Sequence, residues 1–237
     1  MSREVAIVTG GARGLGLAYV EGLKGAGFDV VVADLSESDA GDLYVRVDVS
    51  DQDSTEAMAA AVVERFGRID VLINNAGYFT QIVKKPFDEL TIEEWDLAFA
   101  VNVRGTWLSC RAVAPTMKAQ RSGKIVNTSS MTVPSGIPGF LHYVSSKSAI
   151  VGLTRALARE LGEWGICVNT ITPDYVPHDV EYAGRQPEMA ELLASQRAFK
   201  RDQVPEDLVG TILYLAGHGS DFVTGQDFWV NGGRLFN

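Results

Sequence analysis

At 237 residues, with 46% hydrophobic and 22% charged, the chain has material for one large core and is short for two domains. The same composition excludes a disordered segment, a repeat array or a fibrous protein. A formal net charge of -9 repels phosphate backbones and anionic lipid, which excludes nucleic acid and membrane surfaces as expected partners.

Residues 5–8, Val-Ala-Ile-Val, read as a first strand, followed by glycines and a helix over 15–25. No charged region and long apolar stretch precede that strand, so no signal peptide is expected. Strands follow at 30–33 and 43–49, then a helix over 54–66 and a strand at 71–73. A helical segment containing Trp95, Phe99 and Val103 leads to a longer helix over 105–120 and a strand at 125–126. A helix over 143–164 sets Ile150, Leu153, Leu157 and Leu161 on one stripe. A strand at 168–171, a helix over 206–216 behind Pro205 and a strand at 228–230 complete the order.

Runs such as Val-Val-Val-Ala and Val-Leu-Ile are apolar on both faces, as a parallel sheet covered by helices demands. The expected fold is therefore α/β: a single-domain, doubly wound (Rossmann) parallel sheet over residues 1–237, with ligands at the carboxyl ends of the strands. Only residues 35–42 separate the second and third strands, too few for the usual crossover helix, so an irregular link is expected there.

Three features carry chemistry. Thr9-Gly10-Gly11-Ala12-Arg13-Gly14-Leu15-Gly16 joins the first strand to the first helix. Gly10, Gly14 and Gly16 there permit a tight turn, a close approach to a pyrophosphate, and close packing of helix on strand. Asp34 ends the second strand, where a carboxylate meets adenosine ribose hydroxyls and repels a 2′-phosphate. At about 4 Å and an effective dielectric near 20, that repulsion is about 4 kcal/mol per unit charge. NAD is expected over NADP, with Arg13 alone on the other side of the balance. Third, Tyr143 and Lys147 lie four apart and share one helix face. A free tyrosine has a pKa of about 10, and the lysine ammonium together with a nicotinamide cation is expected to lower it. The three histidines, His142, His178 and His218, show no ligand spacing, and no metal is expected. Cys110 and Cys167 form no CxxC pair, which suits a reducing, cytoplasmic compartment.

In their order and spacing these motifs resemble the classical short-chain dehydrogenase/reductase family over nearly the whole chain. The resemblance rests on Thr9 to Gly16, Asp48-Val49, Asn74-Asn75-Ala76-Gly77, Asn102, Ser130, and Tyr143 with Lys147. It implies Tyr143 as acid/base, Ser130 as donor to the substrate oxygen (chosen over Ser129 by spacing), and Asn102 as holder of a relay water. It also implies a coenzyme cleft formed by Gly10, Arg13, Gly14, Leu15, Gly16, Asp34, Asp48, Val49, Asn74, Asn75, Ala76, Gly77, Pro173 and Val176. Tyr143 and Lys147 contribute to that cleft, and Ile171 and Thr172 lie near the nicotinamide amide. Met131, His142 and Tyr175 join Ser130 and Tyr143 at the substrate, bordered further by Tyr78, Phe79, Val133, Pro134 and Val176. Residues 175–201 correspond to a lid, with a helix over 188–199 offering Met189, Leu192, Leu193 and Phe199. Asp174 replaces the family's glycine, as a substrate contact or a loop cap.

The expected activity is NAD(H)-dependent interconversion of a secondary alcohol, cyclic or aryl, and its ketone. The alternatives are an NADP-linked biosynthetic ketoreductase and an NAD(H)-sensing protein without turnover. The resemblance further implies a homotetramer, with helices 105–120 and 143–164 at one interface.

Overall fold

The computed structural model describes residues 3–177 and 187–236. Among them, β1 (Val5–Thr9), β2 (Asp29–Asp34), β3 (Leu43–Arg46), β4 (Val71–Asn74), β5 (Gly123–Thr128), β6 (Ile166–Pro173) and β7 (Asp227–Val230) form one sheet. Its order is β3-β2-β1-β4-β5-β6-β7 and every neighbouring pair is parallel. The helices are α1 (Gly14–Gly25), α2 (Gln52–Phe66), α3 (Ile92–Phe99), α4 (Gly105–Gln120), α5 (Thr132–Ser135), α6 (Leu141–Leu161), α7 (Pro187–Gln196) and α8 (Glu206–Ala216).

The strands are apolar throughout because both faces are covered. Val5 and Ile7 pack into a core with Met58 of α2, Val113 and Met117 of α4, and Ala158 of α6. The intervening Ala6 and Val8 pack on the other face, with Tyr19 and Leu23 of α1 and Leu208 and Ile212 of α8. The two-residue period of the strand thus feeds two separate helical layers.

The link 35–42 carries no helix, as its length demands. It is laced to the sheet instead: Asp42 N–H donates to the Val30 carbonyl at 2.7 Å, and Val30 N–H donates to the Asp42 carboxylate at 2.9 Å. The third strand stops at Arg46, three residues before the expected end. The Asp48 carboxylate accepts from Ser50 N–H at 2.9 Å and from the Ser50 hydroxyl at 2.7 Å, folding the chain into a turn. Asp51 then caps α2, which begins at Gln52. The helix over 143–164 begins two residues earlier, at Leu141, and its last turn, Gly162–Trp164, is a 3-10 turn.

From β1 the chain crosses to β2 on one side, while β4 lies on the other. The crevice at their carboxyl ends is the switch point at which open α/β sheets bind ligands.

Candidate active site

The glycine loop builds the first wall. Gly10 sits at φ +64°, and a Cβ there would lie 2.8 Å from the Ala76 Cα. A Cβ at Gly16 would lie 1.9 Å from the Gly10 carbonyl oxygen, so only glycine lets α1 approach the end of β1. Around Gly14, at φ +57°, a Cβ would meet nothing within 4 Å. The helix starts at Gly14 with no side chain capping its amides. This open cradle and its unpaired N–H groups fit a pyrophosphate.

Asn75 secures the loop from the end of β4. Its side-chain amide donates to the carbonyls of Thr9 at 3.2 Å and Gly10 at 3.0 Å. The Thr9 hydroxyl accepts from Asn75 and Ala76 N–H groups, each at 3.1 Å. The neighbouring Asn74 does not line the cleft; it is buried and donates to the Asn127 side chain at 2.9 Å. A strand alternates its faces, so consecutive asparagines cannot both face the crevice.

One end of the crevice is lined by Gly10, Arg13, Gly14, Leu15, Asp34, Asp48, Val49, Asn75, Ala76 and Gly77, which brings together most of the expected coenzyme residues. Asp34 is held in place: Ala12 N–H donates to Oδ2 at 3.0 Å and Ser36 N–H to Oδ1 at 2.9 Å. Tyr78, expected at the substrate, lies on this wall instead.

The adjoining cavity, about 240 Å³, brings together Ser130, Tyr143, Lys147, Met131, Pro173, Tyr175 and Val176. The Lys147 ammonium donates to the Thr128 carbonyl at 2.8 Å and lies 5.9 Å from the Tyr143 ring centroid. The Ser129 hydroxyl is turned away and donates to the Lys147 carbonyl at 3.0 Å. Ser130 Oγ accepts from Thr132 N–H at 3.2 Å and from the Thr132 hydroxyl at 3.0 Å. Rings of Phe79 and Phe140 lie 5.1 and 6.1 Å from that of Tyr143.

Burial pushes the Tyr143 phenol up to about 12, with the Ser130 hydrogen bond pulling the other way. Burial pushes Lys147 down to about 8. The expected lowering of the tyrosine pairs the lysine ammonium with a nicotinamide cation; in the protein alone burial is the largest influence on both groups, and it disfavours the phenolate and the ammonium alike. The protein's own groups leave Tyr143 a phenol at neutral pH.

Asn102 stands in a π-helical turn, Ala100–Arg104, between α3 and α4. Its Oδ1 accepts from Tyr78 N–H at 2.7 Å and its amide donates to the Ser146 hydroxyl at 3.0 Å. The Ser146 hydroxyl in turn donates to the Tyr143 carbonyl at 2.8 Å. Asn102 Oδ1 and Lys147 Nζ both lie close to where a Gly77 Cβ would stand, at 3.4 and 3.5 Å.

His142, Val133 and Pro134 are not on the described wall of this cavity. His142 is buried with Nδ1 unpartnered, and burial lowers its pKa ahead of the influence of Glu94 and Lys85. Being one residue from Tyr143 on a helix turns it about 100° away. Leu193 of α7 reaches the cavity, whereas Leu192 and Phe199 are exposed. His178 and the Met189 side chain lie outside the described residues.

Asp174 lies on the wall of this cavity with its carboxylate already paired. Its carboxylate, 2% exposed, accepts from Arg197 Nε at 3.1 Å and pairs with Arg234 at 2.9 Å. Lys84, Ile137, Phe140 and Arg234 also line the cavity, as do Thr128, Thr132 and Pro205, and all were missed from sequence. The only sequence signal for Arg234 is Gly232-Gly233, at φ +61° and +75°, which turns the chain back after the last strand.

A family model described as enoyl-(acyl carrier protein) reductase matches residues 10–234. A 3-oxoacyl-(acyl-carrier-protein) reductase FabG from Staphylococcus aureus is 33% identical over 241 residues, covering 96% of both chains. Its counterpart in Thermotoga maritima is 33% identical over 246 residues and 98% of both chains, and that of Synechocystis 31% identical over 249 residues, covering 99% of this chain and 98% of its own. The protein is an oxidoreductase that uses a nicotinamide coenzyme, and the chain belongs to the classical short-chain dehydrogenase/reductase family.

Proposed function

We propose that the protein reduces a ketone to a secondary alcohol, and reverses the reaction, using NAD(H), with Tyr143 as acid/base. The observation that carries this reading is the convergence of Ser130, Tyr143 and Lys147 on one apolar cavity that opens onto the glycine-loop cleft. A coenzyme sensor has no use for these three together with Asn102. The names of the relatives support ketone reduction over oxidation of a cyclic or aryl alcohol.

The bound coenzyme supplies hydride to the carbonyl carbon or accepts it from the alcohol carbon. The protein's part is geometry and protons. The Ser130 hydroxyl, oriented by Thr132, donates to the substrate oxygen and fixes it beside the Tyr143 phenol. In reduction the phenol gives its proton to the developing alkoxide. Lys147, held on the Thr128 carbonyl, sets a positive charge near the phenolate that remains. The Asn102 amide donates to the Ser146 hydroxyl, which donates to the Tyr143 carbonyl, so Asn102 holds the turn of α6 that carries the reactive pair.

Asp34 supports NAD(H) over a 2′-phosphorylated coenzyme, since its carboxylate is fixed at the adenosine end by two backbone donors. The relatives' acyl-carrier names favour a second reading over the first, an NADP-linked biosynthetic ketoreductase, to which Arg13 at the same wall adds support. Initial rates with NADH and NADPH against ketones, 3-oxoacyl thioesters and the matching alcohols separate the two. NADH-driven ketone reduction supports the proposal, and strict NADPH dependence supports the second reading.

The described residues fit one domain; of the expected lid over 175–201, residues 178–186 lie outside the described residues. A homotetramer is supported by a groove of Leu97, Phe99, Val103, Trp107 and Leu153 along α3, α4 and α6, where Leu97 and Trp107 stay about half exposed. Light scattering of wild type and Trp107→Glu tests this. A cytoplasmic location rests on Cys110 and Cys167, both free and buried; no helix of the described residues is long and apolar enough to cross a membrane.

A further inference from the structure

Arg234 is held on the cavity wall by one edge of its guanidinium. Nε donates to Asp174 Oδ2 at 2.9 Å, while Nη2 pairs with Oδ1 at 2.9 Å and donates to Ser135 Oγ at 3.0 Å. Nη1 has no partner among the described residues. Arg197, 1% exposed, takes the same carboxylate from the end of α7 and spends its other donors on the carbonyls of Arg201 and Tyr175. Two buried guanidiniums therefore share one carboxylate. The next acid, Asp202, stands 3.9 Å from Arg197 and is about half exposed.

Lys84 adds a further cation to this cavity. Its ammonium lies 5.1 Å from the Phe140 ring centroid and pairs with no carboxylate of the described residues. Among the described charged residues on the cavity wall, Lys84, Lys147 and Arg234 are cationic and Asp174 alone is acidic, in a chain of net charge -9. Lys147 belongs to the reaction and the glycine loop to the pyrophosphate, and neither accounts for Arg234 or Lys84. Buried charge without a counter-charge is costly, so an excess cation beside a ligand cavity suits an anionic ligand.

We propose that Arg234, positioned by Asp174 and Ser135, binds a carboxylate of the substrate through its remaining edge, with Lys84 adding attraction, so that the substrate is an oxo acid reduced to a hydroxy acid. The inference rests on the ketone-reduction reading. Guanidinium suits a carboxylate because its donors are planar and its charge is permanent.

The test compares straight-chain oxo acids of increasing carbonyl-to-carboxylate spacing with their methyl esters, in wild type, Arg234→Gln, Arg234→Lys and Lys84→Gln. Wild type is expected to favour at least one acid over its ester. Arg234→Gln is expected to lose about 10–100-fold in kcat/KM on that acid, mainly through KM, as loss of a charge-assisted hydrogen bond would give. Its rate on the ester should stay within about threefold. Arg234→Lys should recover part of the loss, and Lys84→Gln should cost less than Arg234→Gln. Melting temperatures check that Arg197 alone keeps Asp174 paired and the fold intact. Esters or thioesters turned over as well as acids, or an equal loss on both by Arg234→Gln, overturn the inference and leave the reductase reading standing. Failure of every acid and ester with either coenzyme overturns both.

Discussion

The ammonium of Lys147 donates to the Thr128 carbonyl at 2.8 Å, and the Ser129 hydroxyl donates to the Lys147 carbonyl at 3.0 Å. These two bonds tie the early part of α6 to the end of β5 in both directions, the first through the reactive ammonium and the second through the backbone alone. Lys147→Ala is expected to lower kcat by about 10²–10⁴-fold, the range of a lost proton-transfer partner. Ser129→Ala should instead cost about 1 kcal/mol of stability and change kcat little. Thermal unfolding and steady-state rates on both variants check the division; a rate loss for Ser129→Ala matching that of Lys147→Ala contradicts it.

Asp34→Asn removes the charge at the adenosine end while keeping an acceptor for Ala12 or Ser36 N–H. The ratio of kcat/KM with NADH to that with NADPH should fall by about 10²-fold, somewhat less than the full repulsion of about 4 kcal/mol would give. An unchanged ratio would mean that Asp34 serves only the turn.

The two shifted pKa values give the reaction a direction in pH. Burial first, opposed by Ser130, raises Tyr143 to about 12, so it keeps its proton through the neutral range and stands ready as an acid. Burial lowers Lys147 to about 8, so the ammonium is lost as pH rises through that value. Ketone reduction should hold below about pH 8 and decline above it, while alcohol oxidation, which needs the phenolate, should rise with pH. Rate profiles measured in both directions check this; reduction that increases through pH 8 contradicts it.

Glycine is required at Gly16 and dispensable at Gly25. A Cβ at Gly16 would overlap the Gly10 carbonyl oxygen, whereas one at Gly25 meets nothing within 4 Å. Gly16→Ala should abolish coenzyme binding or folding. Gly25→Ala, at the end of α1, should leave binding intact and stabilise by about 0.5–1 kcal/mol. Calorimetric titration with NADH and thermal melts distinguish them.

The layered sheet was legible because apolar period and glycine position are local properties. The helices at 105–120 and 206–216 have the expected ends. The groups converging on the site were legible where a motif carries them, as at Ser130, Tyr143 and Lys147. The misses have physical causes. Asn74 and Asn75 are equivalent in composition, and only strand alternation sends one to the core and the other to the loop. His142 sits beside Tyr143 in sequence but turns off the cavity with the helix. Arg197 and Arg234 reach Asp174 from 23 and 60 residues away, a pairing that no local pattern encodes. The phenol's raised pKa depends on burial, which composition does not report.

The most direct test of the account is to measure coenzyme affinity and ketone reduction side by side for wild type and Tyr143→Phe, which removes only the phenolic oxygen. The account predicts NADH bound within about threefold of wild type and a kcat lower by about 10²–10⁴-fold. Undiminished reduction by Tyr143→Phe would contradict it.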